Sequence, residues 1–210
     1  MRLRFFGKAW LVLPVVLVSS PVTWADKTVD NFETYDKGQV IGKSYNSTPW
    51  RRFGTATNDN IYATGVDGMV ISGTRSGQYG AFWPNRFGAT RFVFKTPTDL
   101  NAFAKASVKI RSDKATTNTR VKLAVSNGET TYISSVGQSL TNKVQHIMFS
   151  LDPSDMVLAD GSGSYADVIA NAQMIGMDFT SGEGQYTEAI LFDDFELHDP
   201  VSGEEAESQW

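Results

Sequence analysis

The chain has no cysteine among its 210 residues. That excludes disulfide staples, thiolate metal sites, cysteine nucleophiles and a cysteine-linked lipid anchor. It has only two histidines, His146 and His198, so neutral-pH general bases are scarce. Long apolar runs are also missing. The longest, Ala9 to Val18, spans ten residues, whereas a spanning helix needs about 20. No repeat or low-complexity tract is present, which excludes solenoids and propellers.

The short apolar run has a specific setting. Arg2, Arg4 and Lys8 precede it without any acid, and Ser19 to Ala25 follows as a small, polar stretch ending Thr23-Trp24-Ala25. A basic start, a short apolar run and a small-residue step predict a secretory signal peptide over 1–25. The mature chain then begins at Asp26, and the protein is expected in the periplasm or secreted. The leader holds three basic and no acidic residues. The remaining 185 residues thus carry 16 basic against 23 acidic side chains, a net charge of −7. Such a chain argues against nucleic acid as a partner, and after cleavage no membrane span is left.

Beyond the leader, apolar and polar residues alternate with period two. Phe92 and Phe94 alternate with Arg91, Val93 and Lys95; Ala106, Val108 and Ile110 with Lys105, Ser107, Lys109 and Arg111. Val121, Leu123 and Val125 follow the same rule, as do Ile147, Phe149 and Leu151. Turn signals such as Ser126-Asn127-Gly128 separate the runs. This pattern predicts half-buried antiparallel strands, with further strands at Val29–Tyr35, Gly68–Gly73, Gly80–Trp83, Thr130–Ser134, Gln173–Thr180 and Ala189–His198. Ser164, as an N-cap three residues before Asp167, predicts one helix of at most two turns. The fold class is all-β, an antiparallel β-sandwich over 26–199 with one short helix. An acidic, aperiodic tail over 200–210 is expected to be disordered.

The two ends of the mature chain carry paired acids among aromatics: Asp30-Asn31-Phe32-Glu33, and Phe192-Asp193-Asp194-Phe195-Glu196-Leu197. Strict alternation would turn Asp193 or Asp194 towards apolar neighbours, unless a bulge re-aims them. Unpartnered buried carboxylates are costly. If first and last strands lie together, Asp30, Glu33, Asp193 and Asp194 can meet around calcium, which takes 6–8 oxygens. The alternative is that they are solvated or bond backbone N–H groups.

These ends, with Ala166–Phe179 read as a short helix leading into an Ile-Gly-x-x-Phe strand, resemble jelly-roll carbohydrate-binding modules of the galactose-binding-like superfamily. The resemblance covers nearly all of 29–198. It implies a jelly roll, a glycan or polysaccharide partner, and a structural calcium between first and last strands. Glu33 and Asp194 are then the leading ligands, with Asp193 and Asp30 behind them.

Two surfaces are candidates for that partner. Trp50, Arg75, Tyr79, Trp83 and Arg86 combine rings for sugar faces with polar groups for hydroxyls, against the alternative of core packing. Arg91, Lys95, Lys105, Lys109, Arg111, Arg120 and Lys122, with His146 in a later strand, fall opposite apolar residues in their strands. If those strands share one sheet, they form a cationic face suited to an anionic polysaccharide. The alternative there is an ordinary solvated face with lysines guarding edges. Two rival functions stand beside non-catalytic binding: a jelly-roll polysaccharide lyase or glycosidase, and an extracellular matrix or adhesion protein. The Glu-x-Asp-x-x-Glu string of sandwich glycosidases and the Gly-x-Ser-x-Gly elbow are both absent.

Overall fold

The structure is a computed structural model that describes residues 26–43, 49–54, 60–82, 87–114, 118–180 and 188–200. Predicted residues in the leader, in the tail and at Trp83 and Arg86 lie outside the described residues.

The strands are β1 (Lys27–Asp30), β2 (Val40–Lys43), β3 (Trp50–Gly54), β4 (Ile61–Thr64), β5 (Ser76–Phe82), β6 (Phe87–Thr98) and β7 (Lys105–Ser112). After them come β8 (Arg120–Ser126), β9 (Thr131–Ser134), β10 (Gln138–Ser139), β11 (Gln145–Ser150), β12 (Met156–Asp160), β13 (Ala172–Thr180) and β14 (Glu188–His198). Among the described residues one α-helix, α1 (Tyr165–Ala170), stands before β13. Hydrogen bonding runs continuously in the order β11-β7-β14-β5-β4-β2-β3-β6-β13-β8-β9-β12, with β1 added to β14 and β10 to β8. All pairings are antiparallel except β2 with β3.

This continuous sheet folds over at β2 into two layers, because both halves bury one face in the same core. Val108, Ile110 and Phe192 from one half join Leu123, Ile175 and Phe179 from the other in a single apolar cluster. Rings touch across it: Trp50 lies 5.6 Å from Phe32 and 5.4 Å from Phe192, and Tyr79 5.7 Å from Phe179. The protein is the all-β sandwich that the alternation predicts, with the jelly roll that the resemblance implies.

The Ser164 side chain caps α1 by accepting from the Asp167 N–H, as read from the sequence. Residues 68–73 correct the strand expected there. Gly68 and Gly73 both have positive φ, 78° and 57°, so the segment is a chain of turns. Gly73 has a second reason to be glycine, since a Cβ there would meet the Glu33 carboxylate at 2.1 Å.

Candidate functional site

The outward face of the β3-β6-β13-β8-β9 layer departs from a simple sandwich, whose outer residues are wet. Ala89, Ala124 and Met174 point outward in their strands yet are buried, and so are Arg91 (7% exposed) and Asp178 (4%). Walls bury them: Phe53 and Phe87 on one side, Gly128–Glu129 and Ala159–Asp160 on the other, enclosing a hollow of about 450 Å³. On the floor, Arg91 Nη2 donates to both Asp178 oxygens at 2.9 and 3.1 Å, and Nη1 donates to Thr131 Oγ1 at 3.3 Å. The guanidinium stacks on the Phe53 ring at 4.7 Å. Burial raises the Asp178 carboxyl above its ordinary value against the opposing pull of Arg91. Gly176 sits between these strands because a Cβ there would lie 2.2 Å from the Thr90 carbonyl. A buried ion pair is weak evidence for stability. In a groove floor it is a rigid set of donors and acceptors.

The hollow continues. Gly128 and Glu129 also wall a second hollow, with Asn127, Asp167, Asn171 and Gln173. Gln173 and Pro97 in turn wall a third, with Pro49, Arg51, Phe92, Phe94 and Lys95. Strand register explains the third. β13 pairs Met174 with Val93 and then Ala172 with Thr98, so Phe94 to Pro97 bulge opposite Gln173 alone. The result is one groove of three sections sharing walls. Phe53, Met174 and Asp178 escaped the sequence reading, which placed Arg91 on the outer face but not in a buried pair. The available signal was a single carboxylate, Asp178, inside the otherwise apolar Met174–Phe179 run.

The residues singled out from sequence are scattered. Trp50 is a core residue, fully buried, with Nε1 donating to Asp30 Oδ2 at 2.8 Å. Tyr79 is likewise fully buried. Neither ring offers a surface for stacking, because both point inward from their strands. Arg75 belongs to the turn before β5, where its guanidinium bonds the Thr74 carbonyl. The single cationic face is also corrected. Lys109, Arg111 and His146 stand on β7 and β11 in one layer, and Lys122 on β8 in the other. Lys122 donates to the Ser135 carbonyl, Lys109 pairs with Asp194, and Arg111 bonds the Gly68 carbonyl. Burial, with His198 and Lys109 nearby, lowers the His146 pKa.

The acids at the strand ends separate into two groups. Asp30 accepts from the Phe32 N–H (2.8 Å), the Tyr35 hydroxyl (2.6 Å) and Trp50 Nε1 (2.8 Å). Its buried carboxylate is committed to these donors, so it is removed from the calcium set. Glu33, Asp193 and Asp194 all flank the turn Ser72–Arg75. Glu33 accepts from the Thr74 hydroxyl (2.6 Å) and the N–H groups of Thr74 (2.7 Å) and Arg75 (3.0 Å), which hold its pKa low. Asp193 accepts from Ser72 and Ser76, and burial pushes its carboxyl up to about 6. Asp194 accepts from the Ser72 hydroxyl (2.9 Å) and Lys109 Nζ (2.8 Å). A register shift between Asp193 and Glu196, with Asp194 at φ 43°, supplies the bulge that re-aims them. Among the described residues, no group of three or more His, Cys, Asp or Glu could hold a metal. A calcium ion here would therefore take further ligands from hydroxyls, carbonyls or water.

One arrangement has the connectivity of a hydrolytic triad. His198 Nε2 lies 2.7 Å from Ser107 Oγ, and its Nδ1 lies 3.2 Å from Asp26 Oδ2. Ser107 is fully buried, so its hydroxyl has no approach for a substrate, and the trio ties the last strand to β7 and the chain ahead of β1. His198 is itself buried.

No protein-family model matches the chain, and no curated protein matches it. Solved structures do share its fold. The family 11 carbohydrate-binding module from Clostridium thermocellum, in complex with a β-1,3-1,4-mixed-linked tetrasaccharide, is similar at 12% identity and TM-score 0.53, covering 83% of this chain and 95% of that one. The family 11 module of a cellulosomal cellulase of the same organism matches at 12% identity and TM-score 0.52, with the same coverage. An exo-β-agarase matches at 14% identity and TM-score 0.50, over 82% of this chain and 24% of that one.

Proposed function

We propose that this is an exported, non-catalytic polysaccharide-binding protein whose ligand lies in the three-section groove. The observation that carries the reading is the buried Arg91–Asp178 pair on a groove floor that should otherwise be solvent-facing. Sugar rings offer apolar faces and hydroxyls. Phe53, Met174 and Ile133 match the first, and the fixed fork of Arg91 with Asp178 matches the second. The shared fold supports the reading, since one similar module is solved with an oligosaccharide. For an anionic polysaccharide, the supporting residues are now Arg51 and Lys95. The test is retention in gels containing different polysaccharides. Phe87 is 39% exposed, so Phe87→Ala will fold and is expected to weaken retention several-fold. Arg111→Met, in the opposite layer, is expected to leave retention unchanged. Absence of retention on every polysaccharide overturns the proposal, and release of unsaturated sugar ends would make the protein a lyase.

A structural calcium stays within this proposal on a narrower ligand set. Glu33 and Asp194, with the hydroxyls of Ser72 and Thr74, place oxygen donors on both sides of one turn. An ion there competes with Lys109, whose Nζ donates to Asp194 Oδ2. Calcium at about a hundred times its Kd would add about 2.7 kcal/mol. The expected result is a melting temperature several degrees higher in calcium than in chelator, and no such difference in Asp194→Ala. Identical melting of the wild type in both buffers retires the calcium and leaves Lys109 as the cation at Asp194.

A further inference from the structure

We infer that the groove is shaped by charge for a polysaccharide carrying acidic groups at intervals, with one acidic group at the Arg51–Lys95 end and uncharged sugars across the Glu129–Asp160 end. This rests on the polysaccharide reading above and sharpens it. The three sections differ in sign. Among the described residues, the section at the β6 bulge contains Arg51 and Lys95 and no acid, beside the apolar surfaces of Pro49, Phe94 and Pro97. The middle section contains, among the described residues, Glu129 and Asp167 and no base. The last contains Glu129, Asp160 and Asp178 against Arg91 alone among the described residues. Arg91 is spent on Asp178 at 2.9 Å, so that floor is close to neutral and the walls leave it net acidic.

A carboxylate or sulfate at the first section meets the ammonium of Lys95 beside the positive charge of Arg51. The same group further along would face Glu129, Asp160 or Asp167 in a partly dehydrated groove, where like charges repel strongly. A polyuronate carries a carboxylate on every sugar and cannot avoid those positions. A neutral polysaccharide avoids the repulsion but gains nothing from Arg51 and Lys95. A chain with spaced acidic units does both, and the direction in which it threads is fixed by where its charge falls.

The experiment uses the full chain and affinity gels containing a neutral β-glucan, a xylan with glucuronate side groups at intervals, or polygalacturonate, each at low and high salt. The expected order of retention is the sparsely acidic xylan, then the neutral glucan, then polygalacturonate. Lys95→Met should remove most of the xylan's advantage over the glucan, about tenfold for one charged hydrogen bond, and high salt should do the same. Glu129→Gln with Asp160→Asn should raise retention on polygalacturonate about tenfold by the same reasoning. Polygalacturonate retained at least as strongly as the xylan overturns the inference while leaving the polysaccharide reading intact. So does an unchanged xylan-to-glucan ratio in a Lys95→Met protein that melts as the wild type does. No retention on any of the three gels overturns both.

Discussion

Asp30 shows how much one side chain can organise at the residue scale. A bulge in β1, between Thr28 and Asp30, turns its carboxylate inward. There it collects a backbone N–H, a phenol and an indole. The bond to the Phe32 N–H holds Phe32 at φ 61°, a conformation that costs a non-glycine residue on the order of 1 kcal/mol or more. Phe32 can then stack on Trp50 and meet Phe192 edge-on. Asp30→Ala would leave two buried donors, the Phe32 N–H and the Trp50 indole, and the half-buried Tyr35 hydroxyl without their acceptor. Each hydrogen bond to a charged group is worth about 1.5–3 kcal/mol, so loss of the two buried ones is expected to cost about 4 kcal/mol, read as a lower urea midpoint at unchanged slope. Tryptophan emission of the folded variant should shift with the freed indole. A loss under about 1 kcal/mol would show that the carboxylate is incidental. The tendency of paired acids among aromatics to demand a partner was readable in the sequence. Which partner each acid finds was not, because Tyr35, Trp50, Ser72, Thr74 and Lys109 arrive from four separate segments.

At the scale of elements, local signals were reliable where they were self-contained. The α1 helix has six residues, too few to persist alone, so its cap matters. Ser164 accepts from the Asp167 N–H at 3.2 Å and donates to the Asp167 carboxylate at 2.6 Å. Ser164→Ala is expected to cost about 1 kcal/mol in global stability and to loosen the second groove section, which Asp167 and Asn171 line. Faster hydrogen exchange confined to α1 would register that local loosening. The long strands β6, β7, β8 and β11 were legible because apolar and polar residues alternate along them with period two, whereas β13 and β14 are buried on both faces and show as largely apolar runs. β2, β4 and β12 have four or five residues each, and β12 has Val157, Leu158 and Ala159 exposed in succession, so no periodicity marks it. The 68–73 segment misled because its apolar Met69, Val70 and Ile71 outweighed the glycines at both ends. Layer assignment was the larger gap. β7 and β8 look like neighbours in sequence, yet β7 pairs with β11 and β14, and β8 with β13, β9 and β10. Alternation reports which face is wet and says nothing about which sheet it belongs to.

For the whole molecule, the consequence of the folded-over sheet is a single core supplied by both layers. Phe192 on β14 packs against Trp50 at the start of β3, and Tyr79 on β5 against Phe179 on β13. Neither layer can keep its dry face covered once the other is gone, and no disulfide bridges them. The described domain is therefore expected to unfold in one step, without a half-sandwich intermediate. Two truncations probe this from opposite sides: Phe192→Leu in one layer and Phe179→Leu in the other, both fully buried positions. Each should lower the same transition by about 1–3 kcal/mol, and circular dichroism and tryptophan emission should trace coincident curves in both variants. Two separable transitions, with each variant moving a different one, would show two independently stable layers. In that event the groove, built on the β3-β6-β13-β8-β9-β12 layer with α1 beside it, would survive loss of the other. With one transition, ligand bound in the groove raises the stability of β7, β11 and β14 as well, and melting of the intact chain becomes a label-free assay for any polysaccharide the groove accepts.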